Sequence, residues 1–273
     1  MSAKPPRQIL HRTRGRRHGP ITRLMSPSDL GQVLKPFVFL DLFNTEGGSF
    51  AGFGLHPHSG ITTLTYLLEG SVGYQDTTGA TGTLPQGGVE WFRAGGGAWH
   101  GGGGEPGRAR GFQLWIALPP DQELGPAEST YIEAQGIRST GPASVLLGKL
   151  DKVVSGVPGS SSANYLAVRL KAGEVWRYDP PAGHTVCWIA LASGSLNVPE
   201  RVQAGELVAF EPSNAAVDFR AEADTEFVLG SAASHPYDLV LGSYSVHTST
   251  AALAAAERRI AEIEVQLVLE GAL

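Results

Sequence analysis

Segments of alternating or continuous apolar residues, separated by glycine-containing turns, run through most of the chain. Those at 36–43 (PFVFLDLF), 61–70 (ITTLTYLLEG) and 111–119 (GFQLWIALP) are typical of β-strands. The segment at 71–92 has the pattern of three further strands, because DTTG and PQGG carry the residues that tight turns favour. The pattern therefore predicts an all-β fold made of many short strands.

The second half of the chain repeats this pattern in outline, after a looser segment at 121–148. Strand-like runs that contain glycine turns follow at 164–178 and 185–198, among others. The ordered similarity between the halves indicates a duplicated all-β module. We therefore predict two domains, one over residues 1–135 and the other over residues 136–273.

The segment 248–267 (TSTAALAAAERRIAEIEVQL) differs from the rest because its pattern is helical. It is rich in alanine, and Ser249 or Thr250 is a suitable N-cap. Its apolar residues recur on one face, at Leu253, Ile260 and Ile263. The second domain is therefore predicted to end in an α-helix.

Composition narrows the class of protein. Only 17% of residues are charged, which argues against disorder through charge. A single cysteine, Cys187, excludes an intrachain disulfide and a thiolate metal site, and we expect this thiol to be buried and inert. We find neither a signal-peptide pattern nor eighteen consecutive apolar residues, so we expect a cytoplasmic protein without a membrane span.

The net charge of −5 hides a basic stretch near the start of the chain. Residues 1–35 contain one acid, Asp29, and eight basic residues: Lys4, Arg7, Arg12, Arg14, Arg16, Arg17, Arg23 and Lys35. Such a stretch can bind nucleic acid or an acidic partner. No aromatic residues accompany the charges, so we favour a solvated turn between two edge strands and disfavour a nucleic-acid partner.

Three histidines are candidates for a metal site. His56 and His58 lie two apart, so on an extended chain their side chains share one face. His100 follows three predicted strands later, and glycines 95–97 allow a sharp turn that can return it opposite this pair. Three imidazoles suit Fe, Mn, Cu, Ni or Zn. The alternative is a pair of surface histidines at the start of a strand.

The segments HPHSGITTLTYLLEG (56–70), GGVEWFRAGGGAWH (87–100) and GFQLWIALP (111–119) resemble the pirin family of bicupins. The resemblance implies two tandem cupin-type (jelly-roll) β-barrels, with one metal in the N-terminal barrel and none in the C-terminal barrel. It also implies that His56, His58 and His100 bind a single divalent metal, with iron expected first. A barrel that has lost its metal is the alternative.

The chain departs from the family at the carboxylates. The family carries a glutamate two residues after the third histidine, where this chain has Gly102, and the acid that follows the histidine pair is replaced within Ile61–Thr63. Glu105 is the nearest carboxylate after His100, and we consider it as fourth ligand and as catalytic base. Water is the alternative fourth ligand, and Gly102→Glu is expected to raise the affinity for iron.

Two classes of function follow from the resemblance. One is an iron-dependent dioxygenase that cleaves flavonols such as quercetin, in which the metal acts as a Lewis acid. The other is a non-catalytic protein, either a redox- or ligand-sensing regulator with a protein partner or a cupin that only binds a small aromatic molecule.

For the remaining candidates we favour structural interpretations. Glu90 is expected to be a solvated strand residue rather than a base. Trp99 and Phe53 are expected to pack in the core rather than line a flat pocket, and the same holds for Gln113 and Trp115 on the next strand. His184, in the second module, is expected to be a buried polar residue with a hydrogen-bond partner.

Overall fold

The computed structural model describes residues 7–45, 53–102, 108–158 and 162–273. Its contacts separate the chain into two units, which we call barrel I and barrel II. Barrel I comprises residues 17–134 and 235–273, whereas barrel II comprises the described residues of 1–16 together with those of 135–234.

In chain order the strands are β1 (Ile9–Thr13), β2 (Arg16–His18), β3 (Ile21–Met25), β4 (Phe37–Asn44), β5 (Phe53–His58), β6 (Ile61–Glu69), β7 (Ser71–Asp76), β8 (Thr81–Pro85), β9 (Val89–Arg93), β10 (Ala98–Gly102), β11 (Arg110–Ala117), β12 (Glu128–Ile132), β13 (Ser139–Thr140), β14 (Ala143–Leu147), β15 (Lys149–Leu150), β16 (Val153–Val154), β17 (Ala163–Leu170), β18 (Val175–Tyr178), β19 (Val186–Ser193), β20 (Ser195–Val198), β21 (Glu200–Gln203), β22 (Leu207–Phe210), β23 (Val217–Ala221), β24 (Thr225–Ala232), β25 (Val240–Leu241) and β26 (Val246–His247). The helices are α1 (Leu30–Val33) and α2 (Thr250–Leu269), with a 3-10 turn at Ala134–Gly136.

Barrel I is a jelly roll of two antiparallel sheets. The larger has the strand order β12-β9-β6-β11-β4-β3-β2, and the smaller has the order β5-β10-β7-β8. Strands β4, β6 and β11 are the continuous apolar runs in the sequence, and they are buried along nearly their whole length. Continuous rather than alternating hydrophobicity suits strands that are covered on both faces. These strands support the smaller sheet, which carries the histidines.

Barrel II has the same two-sheet architecture. Its larger sheet has the order β1-β22-β19-β24-β17-β14-β13, and its smaller sheet has the order β18-β23-β20-β21. Side chains from both sheets form one apolar core, in which Cys187 and Phe219 are fully buried. The expected burial of Cys187 is confirmed, and burial raises the pKa of this thiol to about 12 despite the opposing effect of Arg7.

The predicted C-terminal helix is confirmed. Helix α2 begins after Ser249, whose hydroxyl accepts a hydrogen bond from the backbone N–H of Ala252 at 3.2 Å. Its predicted apolar residues, Leu253, Ile260 and Ile263, are half-buried. Within the described ranges, no helix is long and apolar enough to cross a membrane.

The barrel to which each terminal segment belongs does not follow a single division of the chain at residue 135. Strand β1 hydrogen-bonds to β22 and so belongs to barrel II, whereas residues 235–273 belong to barrel I. The interpretation of the basic stretch as a turn between edge strands agrees with the positions of β1 and β2, each at the edge of a seven-stranded sheet. Arg12 forms ion pairs with Glu200 and Glu206, so part of the positive charge is used within barrel II.

Candidate metal site

Strands β5 and β10 bring the three histidines together. The strands are antiparallel neighbours in which His100 lies directly opposite His56 and Ala98 opposite His58. The turn before β10 contains Gly95 at φ 53° and Gly97 at φ 139°, backbone conformations that only glycine adopts without strain. The predicted return of His100 to the histidine pair is therefore observed.

The geometry of the three imidazoles suits a metal ion. One ring nitrogen from each of His56, His58 and His100 lies within 4.8 Å of the others. The Nε2 atoms of His58 and His100 are buried and have no hydrogen-bond partner. A buried polar atom without a partner is costly, and a metal ion is one group that would satisfy both atoms at once. The donor set therefore fits a divalent metal.

The opposite ring nitrogens fix the orientation of each imidazole. The Nδ1 atom of His56 lies 2.8 Å from the carbonyl oxygen of Gly54, and that of His58 lies 2.9 Å from the carbonyl oxygen of Tyr244. A carbonyl only accepts, so both Nδ1 atoms carry the proton and both Nε2 atoms present a lone pair to the cavity. This is the tautomer that allows a metal to bind through Nε2.

The protonation of the histidines agrees with this assignment. Burial, together with the nearby His100, lowers the pKa of His56 to about 4. Burial and the same neighbour hold the pKa of His58 well below its ordinary value. Both rings are therefore neutral at neutral pH and need lose no proton to bind a metal.

Glu90 is not the solvated residue that the sequence suggested. Its side chain is buried on β9, and its Oε1 atom lies 2.9 Å from Nδ1 of His100. Thr65 donates to Oε2 at 2.5 Å, and the hydroxyl of Tyr131 donates toward Oε1 at 3.3 Å. Burial alone would raise the pKa of Glu90, but His100 and these hydrogen bonds lower it. Glu90 is thus an ionised carboxylate behind His100.

Packing requires glycine at residue 102, two positions after His100. A Cβ atom on Gly102 would lie 1.7 Å from the carbonyl oxygen of Gly73 on β7, and one on Gly101 would lie 2.7 Å from the carbonyl oxygens of Phe53 and Gly54. Strand β10 is therefore held between two close backbones, so Gly102→Glu would displace the strand and, contrary to the expectation from the sequence, would not raise the affinity for iron. Glu105, the other candidate, lies outside the described residues.

The aromatic candidates divide between the cavity and the surrounding core. Trp99 is buried, and its Nε1 atom donates to the carbonyl of Ile260 on α2 at 3.3 Å, as expected for a packing residue. Phe53 and Gln113, in contrast, line a cavity together with His56 and His100. The interpretation of Phe53 and Gln113 as core residues was therefore wrong.

Two further candidates have structural contacts. Trp115 stacks on Phe39 with ring centroids 4.0 Å apart, and its ring meets that of His58 edge-on at 4.8 Å. His184, in barrel II, is buried with Nδ1 3.0 Å from the hydroxyl of Ser231, as expected of a buried polar residue with a partner.

The sequence did not indicate two contributors to the site. Tyr131 lies on β12, within the segment predicted to be looser, where the alternation of ESTYI was the available signal. Tyr244 contributes a backbone carbonyl from 186 residues beyond His58, and no side-chain pattern reports such a contact.

The comparisons with known proteins agree with this geometry. A family model described as Pirin matches residues 19–116. A pirin-like protein of Caulobacter vibrioides is 33% identical over 191 residues, covering 65% of this chain and 68% of that protein. A Pseudomonas aeruginosa protein named provisionally as a quercetin 2,3-dioxygenase is 35% identical over 177 residues, covering 60% of this chain and 62% of that protein.

The fold also has a match among solved structures. The crystal structure of quercetin 2,3-dioxygenase from Acinetobacter baumannii aligns with a TM-score of 0.86 at 23% identity, covering 94% of this chain and 98% of that chain. At this identity the likeness shows a shared fold.

Proposed function

The chain belongs to the pirin family, and on that premise we propose that it is a metal-dependent dioxygenase of flavonol-type compounds, with His56, His58 and His100 as metal ligands. The observation that carries the proposal is the pair of buried, unpartnered Nε2 atoms on His58 and His100. Nitrogen donors of this kind suit iron, which is our first choice of metal, and also Mn, Ni, Cu and Zn.

The metal would supply Lewis-acid chemistry toward a chelating hydroxy-ketone, as the oxidation of a flavonol requires. The protein's part is to hold the three imidazoles in one orientation. Backbone carbonyls fix His56 and His58, whereas the Glu90 carboxylate fixes His100. Because these partners occupy the Nδ1 atoms, the Nε2 lone pairs converge without rearrangement.

The walls of the cavity favour a flat aromatic ligand. Tyr74 and Tyr131 stack with centroids 3.6 Å apart, and both line the cavity with Phe53 and Gln113. Flat rings of this kind pack against aromatic walls. The described walls leave about 50 Å³, room for an ion with one or two waters, so binding of a flavonol would require the cavity to widen.

Glu90 already accepts hydrogen bonds from His100, Thr65 and Tyr131. Its carboxylate therefore holds the His100 imidazole in place and is poorly suited to take a proton from a substrate. Glu105 stays a candidate for the base and for the fourth ligand, with water as the alternative fourth ligand.

The test is metal content followed by oxygen uptake. Protein purified without a histidine tag is expected to contain about one metal ion per chain, and to consume dioxygen as quercetin is lost. His56→Ala combined with His58→Ala is expected to abolish both. His11→Ala combined with His18→Ala removes two exposed histidines and is the matched control.

Three outcomes separate the alternatives. Stoichiometric metal in the His56→Ala, His58→Ala double variant would refute the site. Bound metal without oxygen uptake would refute the dioxygenase and favour a regulatory protein. A wild-type protein that binds no metal under anaerobic loading with Fe(II), Ni(II) or Mn(II) would leave only a small-molecule binding role.

A further inference from the structure

We propose that Glu90 is a positioning residue that supplies negative charge to the metal site through the imidazole of His100. The inference rests on the proposed metal site and deepens it. It assigns to a residue outside the ligand set a source of negative charge for a site whose described ligands are three imidazoles.

The partners of the three ligands are not equivalent. The Nδ1 atoms of His56 and His58 face neutral backbone carbonyls, but Nδ1 of His100 faces the side-chain carboxylate of Glu90 at 2.9 Å. A hydrogen bond to a carboxylate is shorter and stronger than one to a neutral acceptor, and it makes the opposite ring nitrogen a more basic ligand. His100 is therefore the strongest donor of the three.

The surroundings of Glu90 preserve this role. Thr65 holds Oε2 at 2.5 Å, which leaves Oε1 directed at His100. The hydroxyl of Tyr131 lies 3.3 Å from Oε1 but 2.8 Å from Oδ2 of Asp76, and it has one proton to donate. The hydroxyl therefore donates mainly to Asp76, and Oε1 of Glu90 remains available to accept from the imidazole of His100.

The ring of His100 is also fixed on its face. Phe92 stacks on it with centroids 4.5 Å apart and an interplanar angle of 3°. With Glu90 at its edge and Phe92 at its face, the ring has little freedom to rotate. Charge and orientation therefore reach the metal position through one side chain.

A charge effect can be separated from a positional effect by substitution. Glu90→Gln keeps the length and an oxygen acceptor for His100 but removes the charge, whereas Glu90→Ala removes both. Asp41→Asn is the matched control, because Asp41 is a buried carboxylate of barrel I that pairs with Arg23 and is not among the residues that line the cavity.

The experiment titrates metal-free protein with Co(II) or Ni(II) against a chelator and records the visible spectrum of the Co(II) complex. Loss of an outer hydrogen-bond partner typically weakens metal binding by 10–100-fold. We expect about tenfold for Glu90→Gln, about 100-fold for Glu90→Ala, a shifted Co(II) spectrum in both variants and no change for Asp41→Asn.

Each result has one meaning. Wild-type affinity and an unchanged spectrum in Glu90→Gln would overturn the charge role while leaving the metal site intact. A wild-type protein that binds neither ion would overturn the metal site itself, and this inference with it. If Glu90→Gln fails to fold, the shorter pair Glu90→Asp and Glu90→Asn makes the same comparison, with the aspartate expected to bind more tightly.

Discussion

Adding one methyl group at residue 102 tests whether packing requires a glycine at this position. In Gly102→Ala the new Cβ would lie 1.7 Å from the carbonyl oxygen of Gly73. Strand β7 or β10 would have to retreat by more than an ångström, because a backbone oxygen cannot rotate away as a side chain can. The neighbouring Gly54 offers a matched control, since a Cβ there has nothing within 4 Å.

The magnitude follows from overpacking. Inserting a methyl group into a filled space costs about 1–3 kcal/mol, and a backbone contact places Gly102→Ala at the upper end. Gly54→Ala lies in an open strand position, so it is expected to be neutral or to stabilise by about 0.5 kcal/mol, because alanine loses less backbone entropy on folding. At roughly 2–4 °C per kcal/mol, the two variants should differ in Tm by about 6–12 °C.

The assay is thermal unfolding of metal-free protein, followed by urea titration at 25 °C. Metal-free conditions matter because bound metal would add its own stabilisation. A Gly102→Ala protein that melts within a degree of Gly54→Ala would show that the strands separate easily. Packing would then not explain the presence of glycine at residue 102.

Three further predictions concern residues outside the candidate metal site. The Cys187 thiol, buried and with its pKa raised to about 12, is expected to resist iodoacetamide at pH 8 until urea unfolds barrel II, and labelling of the native protein would contradict this. Glu123→Ala is expected to destabilise barrel I by about 3 kcal/mol in a urea titration, because the buried Glu123 carboxylate accepts a hydrogen bond from His247 Nδ1 at 3.1 Å. An unchanged urea midpoint would contradict this prediction. Ser249→Ala is expected to cost about 1 kcal/mol through loss of the N-cap of α2, whereas Ser249→Asp should retain wild-type stability by the same measurement.

The local elements of this fold could be predicted because each depends on a short pattern. The runs at 37–43 and 61–69 have the apolar character of buried strands, and Ser249 has the chemistry of a helix start. The convergence of the histidines also followed from local rules, namely period two in a strand and a glycine turn before His100.

The environment of Glu90 could not be predicted from alternation. Alternation assumes that one face of a strand is wet, yet Val89, Glu90, Trp91 and Phe92 are all buried in β9. When both faces are covered, a charged residue must find a partner within the protein, and that partner depends on pairing between distant strands. The carbonyl of Tyr244 was hidden for the same reason, because a backbone contact leaves no mark on residue type.

The exchange of terminal segments between the barrels sets an order of events during synthesis. The carbonyl that orients His58 belongs to Tyr244, in the segment 235–273, which the ribosome makes only after all of 135–234. His56, His58 and His100 are therefore translated long before their site can be complete. Metal captured by the nascent chain would meet a His58 imidazole whose tautomer is not yet fixed, so the full affinity of the proposed site would be reached only after Tyr244 has been synthesised.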